Sequence, residues 1–222
     1  MPSVVDICNI ALGNIGATAN VVSIAPANGA EAIHCARYWP IARRLALTAR
    51  QWTWNKTRAA LAPAPANPSD IWTYAYALPS TCIKPLRVLQ LAYVNSVLMW
   101  PPLSGPLNDP LTADEFRMWD ERGSSLFEIE DQVLLTHEPD AVLLFQRDIT
   151  DTTVFSDAFV DYVAWLMSGY LAGPIIKGID GANAAAKLRS EVIPRALALA
   201  AAQDANSTHE RNDHVPAHLR GR

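Results

Sequence analysis

Two acidic pairs, Asp114–Glu115 and Asp120–Glu121, come nearest in this chain to residues placed for catalysis. Glycoside hydrolysis needs two carboxyl groups, one to protonate the leaving oxygen and one to act as base or nucleophile. An acidic stretch supplies such pairs without forming a site, and sequence spacing does not set their separation in space. His209, His214 and His218 offer imidazoles to a divalent metal. They lie in a polar C-terminal stretch without the orienting partners that metal-bound histidines use. His34 and Cys35 are adjacent on a helical segment, where neighbouring side chains diverge, so joint ligation is poor. Trp52 and Trp54 offer a stacking platform for a sugar, but a Trp where a helix meets a strand more commonly fills a core. The chain has no GxxxxGK[ST] or GxGxxG phosphate loop, no GxSxG elbow and no HExxH pair. These readings predict no enzyme, no metal and no cofactor.

The elements that carry these residues run helix, then strand, then helix. Pro2 and Ser3 open a first helix on which Val4, Ile7, Cys8, Ala11, Leu12 and Ile15 recur at helical spacing. Asn28, with Glu31 three residues on, is the expected N-cap of a second helix presenting Ile33, Tyr38, Ile41 and Leu45 on one side. Pro40 lacks an amide donor, so a bend or break is expected there. Beyond Trp54 the pattern shortens. "APAPANPSDIW" reads as a Pro-rich loop, and "YAYALP", "IKPLRVLQLAYV" and "SVLMW" read as short strands. Strands are also expected at 126–130, 133–136 and 141–146, the first bulged or buried on both faces because Leu126 and Ile129 are out of phase. Helix returns after the candidate N-cap Ser156 and stops at Gly173–Pro174. A further long helix spans 182–205 with Pro194 inside it. The expected fold class is α+β. N-terminal helices (1–56) and C-terminal helices (151–206) form a bundle, a mostly antiparallel β lobe (57–150) is inserted between them, and a flexible tail (207–222) follows.

At 222 residues with half its composition apolar and 18% charged, the chain can bury a substantial core and is not broadly disordered. Asp157 and Asp161 interrupt the longest apolar run, so no membrane span is expected, and no basic segment followed by an apolar one opens the chain. Cys8, Cys35 and Cys82 are odd in number and widely spaced, which favours buried free thiols over a disulfide framework. The net charge of −4 is unevenly spread. Arg37, Arg43, Arg44, Arg50, Lys56, Arg58, Lys84 and Arg87 face a single acid, Asp70, in the same span, whereas 109–140 is dominated by carboxylates. Such a separation makes either two solvated faces or complementary patches that meet between molecules. The acidic balance argues against a nucleic-acid-gripping module.

Read in order, "VVDICNIALGNIGA", "EAIHCARYWPIARRLALTARQWTWNKTRAALA", "YAYALPSTCIKPLRV" and "FSDAFVDYVAWLMSGYLAGPI" with "LRSEVIPRALALAAAQDANS" resemble the tail tubular protein A, or head-to-tail adaptor, family of short-tailed bacteriophages. The most specific block runs from Tyr38 to Leu61, and the resemblance extends to about Ser207. Arg44 and Trp54–Asn55 depart from it, since the family more often has an acid and an aromatic–Ala pair there. The resemblance implies a virion protein at the head–tail junction, made in the host cytoplasm. Copies would form a dodecameric ring that binds the portal protein above and a tail nozzle or tail tubular protein B-like partner below. DNA would pass through the channel without specific binding, and no membrane is involved. Arg43, Arg44 and Arg50 against Asp114, Glu115, Asp120 and Glu121 are the expected ring interface, the same carboxylates alternatively lining the channel. Arg211, Val215, Leu219, Arg220 and Arg222 would dock on the portal, and Trp52 and Trp54 would anchor bundle to lobe. The alternative is a tail-associated peptidoglycan-degrading enzyme using β-lobe carboxylates.

Overall fold

The computed structural model describes residues 2–18, 20–89 and 124–207, in two compact units. One is helical, built from the chain before and after an insertion (1–55 and 149–222), and the other is the β-rich insertion Lys56–Asp148. The α+β class expected from the alternating periodicities is present, with helices in one unit and two small antiparallel sheets in the other.

In the helical unit, α1 spans Val4–Asn14 and opens on a capping box. Asp6 N–H donates to Ser3 Oγ at 3.2 Å, and Ser3 N–H donates back to the Asp6 carboxylate at 2.8 Å. Helix α2 spans Ala30–Thr48 and runs unbroken through Pro40, so the break considered for that residue does not occur. Its N-cap is Gly29, with φ of 97° and no side-chain cap bond, in place of the expected Asn28 box. Helix α3, Asp157–Ile176, starts at Ser156, whose Oγ accepts from Phe159 N–H at 3.3 Å. It does not stop at Gly173–Pro174. It ends at Lys177, where two successive positive φ values (Lys177 64°, Gly178 62°) turn the chain. Helix α4 spans Gly178–Lys187 and α5 spans Ile193–Ser207. The expected single helix is divided by a π-helical turn at Leu188–Val192, immediately before Pro194. Proline has no N–H and collides with the carbonyl four residues back, and a wider turn there relieves both faults.

Helix α3 is the centre of this unit and packs against α1, α2, α4 and α5. Its mean hydropathy of 1.3 and its length would allow it to cross a membrane by composition alone, although Asp157 and Asp161 interrupt its apolar run. The bundle covers much of that apolar surface, since 61% of the relevant window is buried. Ser168 in α3 is fully buried, and its single hydroxyl proton is shared between the Ala164 carbonyl at 2.8 Å and the Ala11 carbonyl of α1 at 3.0 Å. Where α4 folds back, a Cβ on Gly181 would stand 3.0 Å from the Ala172 carbonyl and 3.1 Å from that of Gly173, so glycine permits this approach.

Among the described residues, the β unit contains two four-stranded sheets. One has the order β1 (Lys56–Ala60), β8 (Val142–Arg147), β4 (Cys82–Leu89), β5 (Ser124–Ser125). The other has β2 (Ala62–Pro63), β3 (Tyr74–Ala77), β7 (Val133–Thr136), β6 (Phe127–Glu130). Leu61, Tyr76, Val88, Leu134, Leu143 and Phe145 form the core of the unit. The Pro-rich stretch expected as loop opens with β2, an edge strand, where a missing amide donor is tolerated. Leu126 is 82% exposed and precedes β6, so that strand is neither bulged around it nor buried on both faces.

Candidate interaction surface

Helix α2 carries two contrasting faces. The buried one is made of small residues and one long one: Ala32, Cys35, Ala42, Ala46 and Leu47, joined by Arg43. This face packs on α3. The other face bears Ile33, Ile41 and Leu45, which are 49%, 50% and 46% exposed. These are three of the four residues expected together on one side of the helix, and the side they share is the exposed one. Ile33, Arg37, Ile41 and Leu45 follow one another every fourth residue, which aligns them along one side of a helix. Exposed Arg37 and Arg44 give this apolar row a basic character.

The arginines expected at a ring interface therefore divide. Arg43 is 6% exposed, and its guanidinium donates to the Ile149 carbonyl. Arg50 donates to the Ala201 carbonyl of α5 at 2.9 Å. Both act as struts within the helical unit, and Arg44 is left on the surface. Asp114, Glu115, Asp120 and Glu121 lie outside the described residues, as do Arg211, Val215, Leu219, Arg220 and Arg222.

The tryptophan pair closes the C-terminal end of α2. Trp52 is fully buried, and its indole N–H donates to the Ala46 carbonyl at 2.9 Å, satisfying a backbone acceptor in the last turn. Its ring meets Phe159 edge-on at 5.0 Å, and Trp54 meets Phe159 at 5.0 Å and Phe155 at 5.7 Å. These ring partners all lie in the helical unit. Full burial removes Trp52 as a sugar platform. Next to it, Asp204 of α5 accepts from Thr53 N–H at 3.2 Å and from the Thr53 hydroxyl at 2.6 Å. With Arg50, this clamps the last turns of α5 to the segment following α2. Tyr38 stacks on Tyr170 at 5.5 Å, and the Arg189 guanidinium lies 5.7 Å over the Tyr170 ring.

The β unit presents a charged surface of opposite sign. The β6–β7 hairpin turns through Asp131 and Gln132, both at positive φ (43° and 68°), and Glu128, Ile129, Glu130 and Asp131 are exposed on it. The carboxylate of Glu128 accepts from the Trp72 indole N–H at 3.0 Å, and Leu78 N–H donates to the Gln132 carbonyl at 3.1 Å. The hairpin is thereby held at its side and its tip.

Sequence reasoning missed the outward face of α2. The signal was present in the opposite row of Ala and Cys, whose small size marks the close-packed side. The Thr53–Asp204 clamp joins residues 151 apart, and no local pattern announces such a pair. No family model matches the chain, and no curated protein matches it.

Proposed function

We propose that the chain is a structural virion protein: a head-to-tail adaptor that assembles in a ring, dodecameric by the family resemblance, between portal and tail nozzle or tube, around the path of exiting DNA. One observation supports this reading above the others. A helix that buries alanines and leaves two isoleucines and a leucine about half exposed is suited to being covered by another protein surface. The basic rim of that face adds register, because opposite charges across an interface select partner and orientation. The clamp at Arg50, Thr53 and Asp204 is consistent with it, since it fixes where the chain beyond Ser207 departs.

Mixing the purified chain with portal rings of the phage that encodes it, then imaging by electron microscopy, tests the proposal. The expected result is a ring of extra density on one end of the portal. Portal rings that remain bare at saturating protein would overturn it. A zymogram on peptidoglycan separates the enzymatic alternative: a cleared band lost in Glu115→Gln or Glu121→Gln would replace the adaptor reading.

A further inference from the structure

We infer that the outward face of α2 receives the β6–β7 hairpin of a second copy of this chain. The inference rests on the self-assembling part of the proposed function and names the two surfaces that meet. Its first support is charge: Arg37 and Arg44 are exposed on α2, while Glu128, Glu130 and Asp131 are exposed on the hairpin. Its second is apolar match. Ile33, Ile41 and Leu45 stand among the arginines, and Leu126, 82% exposed, stands at the entrance to the strand that carries Glu128 and Glu130. Each surface thus combines exposed aliphatic groups with charge of one sign.

Its third support is rigidity. Two consecutive non-glycine residues at positive φ cost conformational energy in a turn that usually takes Asn-Gly. The bonds from Trp72 to Glu128 and from Leu78 to Gln132 keep the tip in that shape. A preformed tip loses little entropy on docking. β6 is also an edge strand, and its carboxylates oppose indiscriminate strand addition, leaving side-chain contact as the mode of docking. Because the two surfaces differ, the contact is heterologous, the kind that builds rings or open chains of identical subunits.

Sedimentation velocity of the full chain, at high concentration and low salt, reads the contact directly. Association should appear and weaken as salt is raised. Arg37→Glu with Arg44→Glu should weaken it at least about tenfold, as should Glu130→Lys with Asp131→Lys, which leaves the Trp72–Glu128 bond in place. Carrying both sets in one chain should restore it. Circular dichroism and melting temperature establish that each variant is folded, and Ile41→Ser with Leu45→Ser, both on the surface, provides a second route to loss. A wild-type chain that stays monomeric, swaps that leave association unchanged, or a combined variant that is folded but not rescued would each overturn the inference. Portal binding, measured separately, distinguishes the two claims. A monomeric chain that still binds portal removes this contact and keeps the adaptor. Rescued self-association without portal binding does the reverse.

Discussion

Trp52 illustrates how much of this molecule is decided by single side chains. The indole fills space against Phe159 and Tyr162 and donates to the Ala46 carbonyl, so its removal leaves a void and loses a buried hydrogen bond. Trp52→Ala should lower unfolding free energy by about 3–5 kcal/mol, read from urea denaturation; a loss under about 1 kcal/mol would contradict the packing described. Asp6 makes a pH prediction. The backbone N–H of Ser3, and then its hydroxyl, hold the Asp6 carboxyl below the ordinary aspartate range, and Thr153 does the same for Asp151. A folded pKa below the unfolded one gives stability that is complete above the unfolded value and lost as pH falls through the folded one. Asp6→Asn should therefore unfold at lower urea than the parent at neutral pH. The gap should close as pH falls through the folded-state value, below which the Asp6 carboxyl is protonated in either state. A gap that persists in acid would assign the effect to something other than the ionised cap.

At the scale of elements, close helix packing makes a sharp comparison between two glycines. A Cβ at Gly181 meets backbone carbonyls of α3, which cannot move aside, whereas a Cβ at Gly169 meets the flexible end of Ile193 at 3.0 Å. Gly181→Ala should cost about 1–3 kcal/mol by forcing α4 from α3, and Gly169→Ala should cost less, both measured by thermal or urea unfolding. Equal effects would mean that the α3–α4 turn adapts. The same elements show what a sequence can convey. Ser156 followed by an apolar stripe identified the start of α3, and apolar runs bounded by acidic turns at 130–131 and 138–140 identified β7 and β8, because capping and turn chemistry are local rules. The end of α3, the π turn before Pro194 and the Gly29 cap escaped because each depends on what the backbone does in its tertiary setting. On α2, spacing placed Ile33, Ile41 and Leu45 on one side, but it did not say whether that side faces the bundle or solvent; the small residues Ala32, Cys35, Ala42 and Ala46 are the buried ones.

For the whole molecule, the proposed function makes the outward face of α2 and the acidic hairpin its working parts, and makes Arg43, Arg50 and Asp204 the means of holding the helical unit in one shape. None of this calls for a reaction centre. Arg50→Ala combined with Asp204→Ala should loosen α5 and weaken portal binding by at least about tenfold while leaving α-helical content largely intact, since it removes charge-assisted bonds worth about 1.5–3 kcal/mol each. Binding unchanged in that variant would detach the clamp from assembly. The most direct test of the central claim is analytical ultracentrifugation of the full chain with and without assembled portal rings. The account predicts many copies co-sedimenting with each portal as one discrete species. A chain that sediments as a monomer beside unaltered portal rings, at every ratio, would contradict it.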